Sequence, residues 1–208
     1  MRYTAEHKQK TRERVLKEAA SAIRLNGPDR VAVASVMARA GLTHGGFYAH
    51  FASKDELLVA AIDQMFAETL TFLGGLLAGK PAAEGLSAYI DFYLSPLHRD
   101  RRDAGCPLPA MAADLPRLDA PAREAFERGA AALTSTIAEA LRELGRPEPG
   151  TLAVSVLSEM VGAVVLARSI SDAGPSATIL AASRGALKRR VALGGGGGGA
   201  PPPPGGGC

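Results

Sequence analysis

The chain has 208 residues, 47% of them apolar, with few aromatics and no tryptophan, which allows one or two domains around a sizeable core and suits an Ala-rich, all-helical protein. Two cysteines, Cys106 and Cys208, exclude a disulfide framework and fit a reducing compartment, and no long apolar region follows the basic start, so a cytoplasmic location without a secretory signal is expected. The net charge of +3 is unevenly placed: residues 1 to 54 carry 10 Lys/Arg against 4 Asp/Glu, leaving the remainder net negative, so the basic end alone is suited to a phosphate backbone.

A first helix is predicted from about Thr4 to Leu25, with Val15, Leu16, Ala19, Ala22 and Ile23 on one stripe and Lys8, Lys10, Arg12, Arg14 and Lys17 mostly off it. Asn26-Gly27-Pro28 stops it. A short second helix follows, with Val33, Val36, Met37 and Ala40 at helical spacing. The run Gly41 to Leu58, GLTHGGFYAHFASKDELL, then sets out a turn, a half-buried helix and a capped start to another helix. Gly41 can adopt the left-handed conformation that ends one helix, and Thr43 is expected to cap the next with its hydroxyl. Phe47 and Phe51 lie four residues apart on an apolar stripe, while His44, Gly45, Tyr48 and the edge of His50 face away. Ser53 opens S-K-D-E, a capping box ahead of Leu57, Leu58, Ala61 and Ile62.

The Gly-Leu-Thr turn, the G-x-F-Y-x-H-F segment and the S-K-D-E-L-L helix start resemble the DNA-binding domain of the TetR family of bacterial regulators. The resemblance implies an N-terminal three-helix helix-turn-helix domain, here residues 1–53, and a C-terminal helical ligand-binding and dimerisation domain, here 54–193, about nine helices in all. One departure stands out. Where relatives have Ser or Thr to cap the second helix and touch a phosphate, this chain has Ala32, and loss of such a cap costs about 1 kcal/mol unless Asp29 substitutes.

The body begins with a long helix from Lys54 to about Leu77, in which Leu58, Ile62, Met65, Thr69, Phe72 and Leu76 form a stripe, ended by Gly79-Lys80-Pro81. A helix over about 83–94 gathers Leu86, Tyr89, Ile90 and Tyr93 before Ser95-Pro96 and HRDRRDAG interrupt the pattern. A short helix opened by Cys106-Pro107 is predicted to reach Leu115, and Asp119 with Pro121 starts a long one to Leu144. From Thr151 to Ala167 the only charge is Glu159; 17 residues with a central carboxylate make a poor membrane span, and burial on two sides explains the run better, so no membrane is expected. Ser158 and Gly162, and Ala163 and Ala167, are small residues four apart that permit close helix approach. With a last helix over about 175–193 this segment is expected to form a four-helix bundle with its copy in a homodimer, as the resemblance also implies; two ordinary core helices of a monomer are the alternative. The Gly/Pro run over 194–208 is expected to be disordered.

Thr43, His44, Gly45 and Gly46 occupy the amino end of the segment that would enter the major groove of double-stranded DNA, with His44 the expected base-edge contact. By resemblance, Tyr48, His50 and Lys54 would hold phosphates; the plainer alternatives are that Tyr48 only packs, His50 only closes the turn and Lys54 only meets water. The resemblance further implies a repressor on a palindromic operator, released by a small-molecule effector in the body. Candidate pocket residues are Phe72, Tyr89, Phe92, Tyr93, Met111 and Phe126, which at helical spacing are equally suited to plain core. Cys106 follows Arg99, Arg101 and Arg102 and opens a helix, two features that lower a thiol's pKa, and some relatives answer electrophiles or oxidants through a Gly-Cys near this place. Two other classes remain: a non-specific architectural DNA binder, which would need basic charge along the whole chain, and a small thiol enzyme using Cys106 with His98. The four histidines, His7, His44, His50 and His98, are scattered, so no metal site or cofactor is expected.

Overall fold

The computed structural model describes residues 2–193, with side chains from Ala5 onward. Among the described residues the regular elements are nine α-helices and three short 3-10 segments. The tail read as disordered over 194–208, with Cys208, lies outside the described residues.

Helix α1 (Arg2–Asn26) buries the predicted stripe, Val15, Leu16, Ala19, Ala22 and Ile23 all being inside. It ends at Gly27, whose φ of +81° is a left-handed stop. Helix α2 (Val33–Arg39) carries no side-chain cap: Ala32 has no group to offer, and Asp29 does not substitute, its backbone carbonyl instead accepting from Lys54 Nζ at 3.4 Å. The turn that follows is a Schellman motif, in which the Gly41 N–H donates to the Ala38 carbonyl (3.0 Å) and the Leu42 N–H to the Met37 carbonyl (2.9 Å), with Gly41 at φ +71°.

Helix α3 (Lys54–Leu77) is the spine of the molecule, packing on α1, on α4 (Ala82–Tyr93) and above all on α7 (Ala120–Glu143). Its buried face is turned from the predicted stripe. Ile62 and Met65 are inside, but Leu58, Thr69 and Leu76 are half-covered and Phe72 is exposed, whereas Leu57, Ala61, Phe66 and Leu73 are buried. The cause is packing on two sides: α1 takes one flank and α7 the other, so the covered arc is wider than one stripe. Where α3 and α7 cross, Gly129 admits the Phe66 ring, which also meets Phe126 edge-to-face at 5.3 Å; a Cβ at Gly129 would fall 2.2 Å from that ring.

The interrupted stretch contains α5 (Pro96–Asp100), opened by the Ser95 hydroxyl accepting the His98 N–H, then a 3-10 turn at 102–104. The helix predicted from Cys106 to Leu115 is shorter. Only α6 (Leu108–Met111) forms, and a separate 3-10 segment (Leu115–Arg117) follows, because Pro116 and the acidic Asp114 suit a turn better than a continued helix. Helix α8 (Pro149–Ser169) has 21 residues, longer than the 17 read from the sequence, so length alone does not disqualify a span; α3 meets the same length and composition test. Both are accounted for by helix packing, α8 lying between α7 and α9 (Ala173–Arg190), with Glu159 paired to Arg190 at 3.0 Å. Its outer face is open and mixes apolar with small polar side chains: Val154 and Leu166 are 55% and 58% exposed and Val165 is exposed with them, among Thr151, Ser155, Ser158 and Ser169.

Candidate functional site

Two places hold polar groups in unusual settings. The first is the stretch after Gly41. It forms a 3-10 helix (His44–Ala49) rather than the predicted α-helix, and Thr43 does not cap it with its hydroxyl; the Gly46 N–H donates to the Thr43 backbone carbonyl instead (3.1 Å), an i to i+3 bond that leaves the side chain free. Two consecutive glycines disfavour a full α-helical turn here. Phe47 and Phe51 are buried and stacked at 5.7 Å, anchoring the segment. Thr43, His44 and Gly45 are exposed, and Tyr48, 71% exposed, meets Phe47 only at its ring edge. Tyr48 is thus not a packing residue. Lys54 is exposed, and His50 is half-covered with its Nδ1 buried and unpartnered among the described residues. Thr43, His44, Gly45, Tyr48 and Lys54 are thus open to solvent and Gly46 and His50 partly so, with the Lys54 ammonium donating to the Asp29 carbonyl (3.4 Å).

Residues of α1 join them. The Arg12 guanidinium lies 4.7 Å over the Phe51 ring, and Lys8 and Arg12, after burial, hold the His50 pKa below its usual value. Neither residue was singled out by spacing; the signal was the charge count of the first helix. Ser53 caps α3 as predicted, accepting the Glu56 N–H at 3.0 Å, and Glu56 reaches back to the Ala52 N–H at 2.7 Å, one residue earlier than in the usual capping box.

The second place is a cavity of about 150 Å³ among α1, α3, α4 and the loop before α6. Phe72, Tyr89, Phe92, Tyr93 and Cys106 line it, five residues predicted for a pocket. Met111 is buried in the core and Phe126 sits against Phe66, and neither reaches the cavity. Arg24 of α1, Glu68 and Thr69 of α3, His98 of α5 and the loop residues Ala104 and Gly105 complete the wall, unforeseen because residues from separate segments have no common spacing. Arg24 is buried and pairs with Glu68 at 2.7 Å, yet its Nε has no partner; the Tyr89 hydroxyl is likewise buried and unpartnered, and the buried Tyr93 hydroxyl has only the Cys106 sulfur beside it. Burial raises both tyrosine pKa values well above normal, so both remain O–H donors.

His98 holds the wall together. Its Nδ1 donates to the Tyr93 carbonyl (2.8 Å) and its Nε2 accepts the Cys106 backbone N–H (3.2 Å), the neutral tautomer with both nitrogens in use. Burial lowers its pKa to about 4. Gly105 makes this approach possible, since a Cβ there would lie 3.0 Å from His98 Nε2. The pairing of His98 as a base for the Cys106 thiol is therefore not formed. Nor is the thiol acidified: burial pushes it up against the opposing pull of Tyr93, Arg24 and Arg168. The arginines expected to act on it point elsewhere, Arg99 to Asp100 and Ser176 and Arg102 to the Leu25 carbonyl, while Arg101 is exposed. Arg168 of α8 instead closes α5 by donating to the His98 and Arg99 carbonyls.

Residues 15–61 match the family model of bacterial regulatory proteins of the tetR family, and residues 82–182 match the C-terminal domain model of LmrA/YxaF-like transcriptional regulators. The chain belongs to the TetR family. A TetR transcriptional regulator from Chloroflexus aurantiacus J-10-fl superposes with a TM-score of 0.77 at 29% identity, covering 90% of this chain and 96% of that one. Escherichia coli NemR in its reduced form (TM-score 0.74, 22% identity, 85% and 96% covered) and a TetR-family regulator from Agrobacterium tumefaciens (0.75, 20%, 88% and 98%) share the fold. No curated protein sequence matches the chain. This TetR-family protein is a DNA-binding transcriptional regulator with an N-terminal helix-turn-helix domain and a C-terminal helical domain.

Proposed function

We propose that the protein is a cytoplasmic, homodimeric repressor that binds a palindromic operator and leaves it when a small molecule occupies the cavity at Phe72, Tyr89, Phe92, Tyr93 and Cys106. The observation that carries this reading is α1, which touches both places: Arg12 lies against the recognition segment and Arg24, twelve residues on and about 18 Å along the helix, lines the cavity. A change at one end of a rigid helix is felt at the other. Thr43, His44, Gly45 and Gly46 face the major groove, His44 toward a base edge, while Tyr48, His50 and Lys54 hold phosphates. The boundary near residue 53 is where the reading portion meets the spine helix.

Dimerisation through α8 and α9 is supported by the exposed Val154, Val165 and Leu166 of α8 and by the exposed small residues Ala177, Ala181, Ala182 and Ala186 of α9. Two protomers present two recognition segments, and a two-fold axis requires a two-fold operator. The effector then acts by binding better to the protomer spacing that does not fit DNA. Mobility shift at fixed salt on the DNA upstream of the gene tests the reading. Specific, competitor-resistant binding is the expected result, and equal affinity for any duplex would leave an architectural DNA binder in its place.

A second reading is favoured by Cys106 forming part of the cavity wall. An α,β-unsaturated carbonyl compound seated there adds to the sulfur: the S–C bond forms at its β-carbon as the C=C π bond breaks, the electrons move to its carbonyl oxygen, and the resulting enolate takes the thiol proton. Since the thiol pKa is raised, rate would come from positioning rather than from a standing thiolate. Alkylation of Cys106 no faster than that of a free thiol would remove this route and leave the non-covalent one.

A further inference from the structure

The cavity holds an excess of hydrogen-bond donors. The Tyr89 hydroxyl and Arg24 Nε–H are buried and without partners, and the buried Tyr93 hydroxyl has only the weakly accepting Cys106 sulfur, while Glu68, the one carboxylate on the wall among the described residues, is already engaged with Arg24 Nη2. Glu68 is also partly exposed, so losing some of that engagement costs it little. Buried polar groups in folded proteins are nearly always satisfied, and two orphan donors with a third poorly matched one around one cavity ask for a partner that accepts.

Shape narrows the class. Phe72 and Phe92 lie 4.5 Å apart, Tyr89 and Tyr93 5.7 Å, and Tyr93 and His98 4.5 Å, so rings face the space on several sides. A cavity of about 150 Å³ is the size known to take a single benzene ring. We propose that this cavity binds a monocyclic aromatic carboxylate, its ring among Phe72, Phe92 and Tyr89 and its carboxylate on Arg24 Nε and the two tyrosine hydroxyls. The assignment deepens the effector reading above and rests on it for its regulatory meaning. Because Arg24 belongs to α1, the carboxylate would bind to the helix that also supports the recognition segment.

The test is calorimetric titration of the full chain with benzoate and with benzamide, which has the same shape but turns N–H groups toward a donor-lined wall. Benzoate is expected to bind at least ten-fold more tightly. Tyr89→Phe and Tyr93→Phe are each expected to weaken benzoate several-fold without lowering the thermal midpoint of the free protein, because the first removes a hydroxyl that bonds nothing there and the second one that meets only the weakly accepting Cys106 sulfur. Arg24→Lys, which keeps charge but loses Nε–H, should weaken it at least ten-fold; should that variant fail to fold, the tyrosine pair still decides. Absence of benzoate binding, equal affinity for benzamide, or indifference to both tyrosine changes would overturn the assignment. Mobility shift on the same preparation separates the two levels: DNA bound without benzoate binding sinks only the ligand class, whereas benzoate bound without specific DNA binding sinks the regulator reading and keeps the site.

Discussion

The recognition segment and the cavity both display hydroxyls without an oxygen or nitrogen partner among the described residues, but they do so in opposite surroundings. Tyr48 stands in water, where an unpaired O–H is satisfied by solvent, and it waits for a phosphate at no cost to the fold. Tyr89 is buried with no partner, which costs about 1–3 kcal/mol, and Tyr93 has only the weakly accepting Cys106 sulfur. The first region can therefore be idle and stable, whereas the second is better satisfied when filled. A reader of DNA needs the one property and a receiver of ligand the other.

The largest test of that contrast is Phe47→Ala. Phe47 is fully buried against Phe51 and is the anchor that lets its neighbours be exposed, so its loss should cost about 3–5 kcal/mol in chemical denaturation. A cost below about 1 kcal/mol would mean the segment is held by its turns rather than its aromatics.

Next in size is the pH response of the cavity wall. His98 is buried and neutral, with a folded pKa of about 4 against about 6.5 unfolded. Between these values the unfolded chain binds the extra proton and the folded one does not, so stability rises with pH across that window. The contribution is full above about pH 6.5 and lost as pH falls to about 4, amounting to about 3 kcal/mol at most. Following the His98 imidazole by NMR should give a midpoint near 4; a midpoint at or above 6 would show that the wall opens to water.

The exposed region should respond in affinity and not in stability. His44→Ala is expected to cost about 1–3 kcal/mol on the cognate operator and little on random DNA, since a base-edge contact carries discrimination. Tyr48→Phe should weaken both to a similar and smaller extent, because a phosphate contact carries none. Measured side by side at one salt concentration, the reverse pattern would exchange their roles.

The two regions also differ in how far they could be read beforehand. Gly41, Phe47, Tyr48 and Ser53 lie within one run, and their roles follow from local rules: a left-handed stop, a four-residue spacing and a cap. Even there, sequence mistook a 3-10 turn for an α-helix and gave Thr43 a capping bond that the backbone carbonyl makes instead. At the cavity, the aromatic members were legible as candidates but could not be separated from core residues such as Met111 and Phe126. Arg24 and His98 were invisible as members because tertiary packing, not spacing, brings α1 and α5 to α4. The acidity expected of Cys106 failed for a related reason. Arginines near it in sequence are held by other partners, and burial outweighs the two that do approach.

The smallest predicted effect bears on the link between the regions. Helix α3 begins at Ser53, directly after the recognition segment, and carries Glu68, Thr69 and Phe72 to the cavity. Ser53→Ala removes the bond to the Glu56 N–H and should cost about 1 kcal/mol of stability. Glu56 still reaches the Ala52 N–H, so the chain's entry into α3 is loosened rather than lost. If α3 transmits as a rigid rod, fraying its first turn should weaken operator binding while leaving ligand affinity at the cavity, four turns further along, unchanged. An equal loss at both places would mean that the cap stabilises the whole body, and that communication runs through α1 and Arg24 alone.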